Sequence, residues 1–185
     1  INILQRDGVQ KLTLRKVARE AGVSHAAPSH HFKDMRGLFA GIAENGFKEL
    51  NQYMEHQLIQ DVEKDLLTQL KTIGTGYIKF GLKNPEILKI MYHPLLSDKK
   101  DYPSLQHESL RAFELLKTYL KHCQKDKLIT DGDLDEYGLF AWSLVHGFTS
   151  LAIDNQLEGK GFKKDYTFYA NQLTDLLYTG LIHSN

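Results

Sequence analysis

Nowhere in this chain do apolar and polar residues alternate for the length of a strand; apolar positions recur three and four residues apart instead. That periodicity restricts the chain to helices, and no Asn-Gly or Asp-Gly turn joins two extended runs. The expected fold class is all-α. A chain of 185 residues suits one domain with room for a small second lobe. At that size folding buries about 70% of the unfolded surface, so neither a disulfide nor a metal is needed for stability. The lone Cys123 excludes an intramolecular disulfide and suits a reducing compartment. No run approaches the roughly 18 apolar residues of a membrane span. A cytoplasmic location without membrane contact is expected. The chain opens on Ile1, not Met, without a basic-then-apolar leader, so residues are expected to precede it.

Capping residues divide the helical pattern. Ile1 and Leu4 end at Gly8, the tail of a first helix. Thr13 is expected to cap a short helix ending before Gly22, and Ser24 another reaching about Phe32. Asp34 opens a long helix carrying Leu38, Ile42, Phe47, Leu50 and Met54. A helix over about 63–82 follows, then Asn84-Pro85-Glu86 as cap, first-turn proline and acid. Pro94 keeps that helix short, and Ser97-Asp98-Lys99-Lys100-Asp101 reads as a surface loop. Three longer helices complete the chain: about 104–125, from Asp133-Leu134-Asp135-Glu136 to about Leu157, and from Asp165 to about Leu181.

Residues 12–33 carry the chemistry. Two short helices meet at Ala21-Gly22-Val23, the spacing of a helix-turn-helix. Ala18 and Ala21 are small enough for a close crossing, Gly22 can take the positive φ of the turn, and Val23 is expected to face the core. The second helix would enter a major groove with its N-terminal end first. Charge agrees. Among residues 1–50, Arg6, Lys11, Arg15, Lys16, Arg19, Lys33, Arg36 and Lys48 outnumber Asp7, Glu20, Asp34, Glu44 and Glu49. The whole chain nevertheless carries a formal net charge of zero. A basic end on an otherwise acidic chain points to an anionic partner.

Over about residues 3–50 the sequence resembles the TetR family of bacterial transcriptional regulators. The resemblance rests on Leu12-Thr13-Leu14-Arg15-Lys16-Val17-Ala18-Arg19-Glu20-Ala21-Gly22-Val23-Ser24 and on His31-Phe32-Lys33-Asp34. It looks most like the branch with a Trp-His-Gly signature, here Trp142, His146 and Gly147, and Phe80-Gly81-Leu82-Lys83-Asn84-Pro85 through Met91-Tyr92 is similar to that branch's central segment. The resemblance implies an N-terminal DNA-binding domain, a helical ligand-binding domain, and homodimers that release a DNA operator when a small molecule binds. Ser29 stands where the family often has tyrosine. His30 and Met35 stand where basic residues are common, and Pro28 falls early in the recognition helix.

Thr13, Arg15, Ser24, Ser29 and Lys33 are the candidate phosphate contacts, since hydroxyls and cations fix a protein's register on the duplex. His25 and His30 are candidates for base edges. An imidazole gains charge as pH falls, so operator affinity is expected to rise from about pH 8 to about pH 6 at fixed salt. Trp142 and His146 share one helix face. With Tyr77, Phe80, Met91 and Tyr92 they are the candidate wall of a pocket for an apolar or aromatic effector; the competing reading is core packing, with the imidazole bonded to a backbone carbonyl. Gly147 is expected to permit close helix approach. The last two helices are apolar around much of their circumference. Phe140, Leu144, Leu151, Phe168, Leu176 and Ile182 are among those positions, and the two helices from each copy would form a homodimer interface.

No His-Glu-x-x-His, Gly-x-Ser-x-Gly or phosphate-binding glycine loop occurs, so an enzyme is not expected, nor a cofactor or a metal. The expected domains are residues 1–46, binding DNA, and 47–185, binding ligand and dimerising, joined by the long helix that begins near Met35. A dimer must match half-sites about 34–36 Å apart or a multiple. The rival function is a helical small-molecule-binding dimer with little specific DNA affinity. Salt separates the two, because an operator complex weakens steeply as salt rises.

Overall fold

The helical periodicity is realised in a computed structural model that describes residues 2–162 and 165–182, with the backbone alone at Ile182. Ile1 and the Ile182 side chain therefore lie outside the described residues. Nine α-helices occur among those residues: α1 (Asn2–Asp7), α2 (Leu14–Ala21), α3 (Ala26–Phe32), α4 (Met35–Gln60), α5 (Leu66–Lys83), α6 (Pro85–Met91), α7 (Pro103–Lys125), α8 (Leu134–Ile153) and α9 (Tyr166–Ile182). They group into two compact units. One comprises Ile1–Glu49 with Asn84–Ser109; the other comprises Leu50–Lys83 with Leu110–Asn185. The segment Asn84–Ser109 thus belongs with the helix-turn-helix, and not with the residues that flank it in sequence.

In the first unit the local chemistry is legible bond by bond. The Thr13 hydroxyl accepts from the Lys16 N–H at 3.2 Å and starts α2. Gly22, at φ 65°, ends it. The Val23 N–H returns to the Ala18 carbonyl at 3.0 Å and the Gly22 N–H to Arg19 at 3.3 Å, the paired bonds of a Schellman turn. Ala18 is fully buried, as a close crossing requires. Two expectations fail at this turn. Val23 is 48% exposed, because closing its N–H back onto α2 carries the residue out over the turn. Ala21, in the last position of α2, is exposed as well.

The start of α3 also differs from expectation. His25, not Ser24, occupies the cap position, and its side chain makes no capping bond. Ser24 contributes its carbonyl, which accepts from the Ala27 N–H at 3.1 Å. The later start places Pro28 third in the helix, where an amide has no intrahelical acceptor, so the proline costs α3 no hydrogen bond. Asp34 behaves as expected: its carboxylate accepts from the Gly37 N–H at 2.9 Å and its carbonyl from the Leu38 N–H at 3.1 Å, opening α4. At α6, Asn84 makes no side-chain capping bond. Its neighbour Glu86 instead reaches out of the helix to accept from the Val9 N–H at 3.0 Å.

The second unit is built on α5, which buries Leu70, Ile73, Tyr77, Ile78 and Phe80. At Gly74 an added Cβ would meet Thr174 Cγ2 at 2.9 Å and Val145 Cγ1 at 3.5 Å, so α5 lies close to both α8 and α9 there. The buried Tyr178 donates its hydroxyl to the Leu70 carbonyl at 3.1 Å. Buried Thr149 and Thr174 satisfy theirs on carbonyls of their own helices, Val145 at 2.7 Å and Ala170 at 3.0 Å. The Gln69 amide donates to the carbonyls of Asp61, Val62 and Lys64 at 3.3, 3.2 and 2.8 Å, closing the end of α4. Asp133 caps α8, accepting from the N–H groups of Asp135 at 2.7 Å and Glu136 at 3.0 Å. That helix stops at Ile153, short of Leu157, and Asn155 just beyond takes a positive φ of 54°. Gly147 has no close neighbour within its own chain among the described residues; a Cβ there would meet nothing within 4 Å. No described helix is long and apolar enough to cross a membrane.

Candidate functional site

On the first unit, Thr13, Arg15, Ser24, His25, Ser29, His30 and Lys33 are all exposed, on or beside the α2–α3 corner. Ion pairs divide the cations of this segment into two sets. Arg6 pairs with Asp7 and Glu20, and Lys16 with Asp7; the guanidinium of Arg6 holds the Asp7 carboxyl below the ordinary carboxylate range, with Lys16 adding to it. Arg36 pairs with Asp101 and Lys48 with Glu44. Among the described residues no ion pair is recorded for Lys11, Arg15, Arg19 or Lys33, and all four are exposed. Arg19 and Lys11 are not among the contact candidates read from the sequence. The signal for Arg19 was present, since it lies four residues beyond Arg15 and therefore on the same face of α2.

The link from α3 to α4 is a strained γ-turn. Lys33 sits at φ 66° and ψ −60°, and the Asp34 N–H bonds the Phe32 carbonyl two residues back at 2.9 Å. A positive φ costs a residue with a Cβ about 1–2 kcal/mol, and such strain persists only where the surroundings over-determine it. The surroundings here are explicit. A Cβ on Gly37 would fall well inside contact distance of the Phe32 carbonyl oxygen, and one on Gly41 would lie 3.4 Å from the Phe32 ring. The last residue of α3 is thus seated on the first two turns of α4. Lys33→Gly should raise thermal stability by about 1 kcal/mol relative to Lys33→Ala. If Lys33 meets a phosphate, both variants should reduce the salt slope of duplex binding by about one. Equal stability of the two variants would contradict strain at this turn.

Of the candidate pocket residues, the second unit brings Tyr77, Trp142 and His146 together and also holds Phe80. Tyr77 OH and His146 Nδ1 are 2.7 Å apart, and His146 Nε2 lies 3.5 Å from Ser150 Oγ. Trp142 stands over His146 with ring centroids 6.0 Å apart and meets Phe113 edge-on at 6.3 Å. Phe80 is buried beside Tyr53 at 6.5 Å. Met91 and Tyr92 belong to the first unit, where Met91 packs at Gly46 of α4 and the Tyr92 ring meets Phe47 edge-on at 5.7 Å. Burial pushes the Cys123 thiol up to about 11, as suits a packed and unreactive sulfur.

Burial also lowers the His146 imidazole below its ordinary value of 6.5. Between the two values the unfolded chain binds a proton that the folded chain does not. The favourable contribution is therefore whole above the ordinary value and declines as pH falls through it. Thermal unfolding followed from neutral pH down to the acid side of 6.5 should show a fall in stability that His146→Gln removes. A fall of the same size in the variant would assign it to other groups.

The exposed surface on α2 and α3, carried on one of the two units of an all-helical chain, defines the class of helix-turn-helix regulators. Comparison with known proteins makes the class specific. Residues 1–42 match the family described as "Bacterial regulatory proteins, tetR family", and residues 70–176 match "Tetracyclin repressor-like, C-terminal domain". This chain belongs to the TetR family, whose members are DNA-binding transcription regulators. It is similar to the nucleoid occlusion factor SlmA of Alteromonas mediterranea, 31% identical over 130 residues, a match covering 70% of this chain and 65% of SlmA. The chain thus spans slightly less than two thirds of that relative. A solved structure of a protein with unknown function from Rhodococcus sp. RHA1 superposes with a TM-score of 0.81 at 30% identity, covering 98% of this chain and 91% of that one. FadR of Bacillus subtilis, solved in complex with stearoyl-CoA, shares the fold with a TM-score of 0.73 at 14% identity, over 97% and 94% of the two chains.

Proposed function

We propose that this chain is a ligand-released repressor that binds a palindromic operator as a homodimer, acts by binding and not by catalysis, and works in the cytoplasm. The observation that carries the reading is the set of exposed cations without recorded ion pairs, Lys11, Arg15, Arg19 and Lys33, around the exposed hydroxyls and imidazoles of the α2–α3 corner. Thr13, Ser24, Ser29 and the cations contact phosphates; His25 and His30 face base edges. Tyr77, Phe80, Trp142 and His146 meet an apolar or aromatic effector, with the imidazole as the polar group that orients it. FadR, which carries stearoyl-CoA, places an acyl ligand on a fold of this kind. Coupling of about 1–3 kcal/mol between effector and operator changes affinity roughly 5–150-fold.

The dimer forms through α8 and α9. Phe140, Leu144 and Leu151 are exposed along one stripe of α8, and Gly147, which has space around it within its own chain, lies on the same stripe. On α9, Phe168 and Leu176 are exposed. The likeness to a nucleoid occlusion factor supports a second reading: a protein that acts on nucleoid DNA and is not a ligand-released repressor. One experiment tests both. Duplexes are selected from random sequence with the full chain, and small apolar compounds are screened against the selected complex. The repressor reading expects an inverted repeat, a steep loss of affinity with salt, and release by at least one compound. Salt-independent binding, or no selected sequence, would overturn DNA recognition.

A further inference from the structure

Arg36 makes more contacts than its place in the first turn of α4 requires. Its Nε donates to the Leu95 carbonyl at 3.2 Å, one terminal nitrogen to the Asp101 carboxylate at 2.8 Å, and the other to the Asp98 carbonyl at 2.8 Å. The guanidinium also stacks over the Tyr102 ring, 5.1 Å from its centroid. One side chain thus engages four positions of the segment 95–102, which lies about sixty residues away in sequence yet in the same compact unit. Only a planar fork with several donors can do this; a lysine in its place would supply one point charge. All four contacts would be lost with the guanidinium: two are to backbone carbonyls, one is to a carboxylate and one is to a ring face.

The other side of the same helical turn holds α3. The Phe32 carbonyl is seated against Gly37, its ring lies against Gly41, and the γ-turn at Lys33 leaves no slack between the two helices. Phe39, one turn further along α4, meets His93 edge-on at 4.8 Å, so the segment preceding the loop is tied to α4 as well. We infer that Arg36 is a positioning residue: it clasps the 95–102 segment to the first turn of α4, and through that turn the segment sets the seating of the recognition helix. The clasp makes 95–102 the part of the first unit at which a change in loop conformation reaches the DNA-binding surface. The inference rests on the proposed DNA recognition for its functional consequence, but its mechanical content does not need DNA.

The test uses the full chain. Hydrogen exchange is measured by mass spectrometry on wild type, Arg36→Gln, Arg36→Lys, Asp101→Asn and, as a control outside the clasp, Lys99→Gln. Arg36→Gln should speed exchange at residues 95–102 and at 29–32 together, by about fivefold or more, while amides of α5 stay unchanged. Arg36→Lys and Asp101→Asn should fall between, and Lys99→Gln should match wild type. Faster exchange confined to 95–102, or raised equally throughout the chain, would overturn the positioning role. In a second arm, a duplex selected by the wild type should bind Arg36→Gln about tenfold more weakly or worse; equal binding would overturn the link to recognition. Should the wild type select no duplex, the DNA reading fails, and the exchange result still decides the clasp.

Discussion

Replacing Gly37 by alanine is expected to abolish specific duplex binding. In an unconstrained helix the change would be favourable by about 1 kcal/mol, since alanine is the better helix former. Here the new Cβ would overlap the Phe32 carbonyl oxygen. Backbone has no rotamer to yield, so either α3 or the first turn of α4 must move. Forcing extra atoms into such a contact costs about 1–3 kcal/mol, which cancels the propensity gain. The larger consequence is geometric, because displacing α3 removes its contacts together. Two lost base contacts at about 1–3 kcal/mol each amount to at least tenfold and typically a hundredfold or more in affinity. Gly41→Ala is the control. Its Cβ would lie 3.4 Å from the Phe32 ring, an ordinary contact, so binding should persist and stability should hold or rise. Fluorescence anisotropy on a selected duplex, with thermal melts of both variants, checks the pair. Equal loss in the two would show that glycine itself, and not the seating of Phe32, is what the site needs.

An aspartate at Leu176 is expected to produce monomers and to cost the operator complex its avidity. Leu176 is 73% exposed and Phe140 56% exposed, which makes both unusual positions for large apolar side chains in an isolated subunit. If α8 and α9 pair with a second copy, a carboxylate there is buried without a partner and opposes association strongly. Each subunit would then grip one half-site alone, and losing the linked second site weakens binding by about 10²–10⁴-fold. Because the side chain contributes little to its own subunit, the melting of the monomer should change little. Sedimentation equilibrium and anisotropy on the same samples check both points. A variant that remains dimeric would place the interface elsewhere. A monomer that binds the full operator as tightly as wild type would remove the need for a dimer in recognition.

Much of the candidate site was legible because its signals are local. Thr13, Asp34, Asp133 and Gly22 act on amides and carbonyls within four or five residues, and each does in the structure what the residue type dictates. The exposed hydroxyls, imidazoles and cations of α2 and α3 follow from the same turn geometry. The misreadings at the corner have a local cause too. Ser24 and His25 can both precede a helix, and capping preference alone does not separate them; Val23 looks like a core residue by type, but the backbone bond to Ala18 carries it outward.

What the sequence by itself determined, then, is the all-α class, the helix-turn-helix with its basic character, and most helix limits, because periodicity and capping are short-range properties of the chain. Only the tertiary structure decided that residues 84–109 join the unit that carries the helix-turn-helix, that Arg36 spends its donors on a loop some sixty residues away, and that Gly37 is required by the carbonyl of Phe32. Those facts depend on the shapes of segments brought together by packing. No pattern within a few residues of Arg36 or Asn84 encodes which distant surface will lie against it.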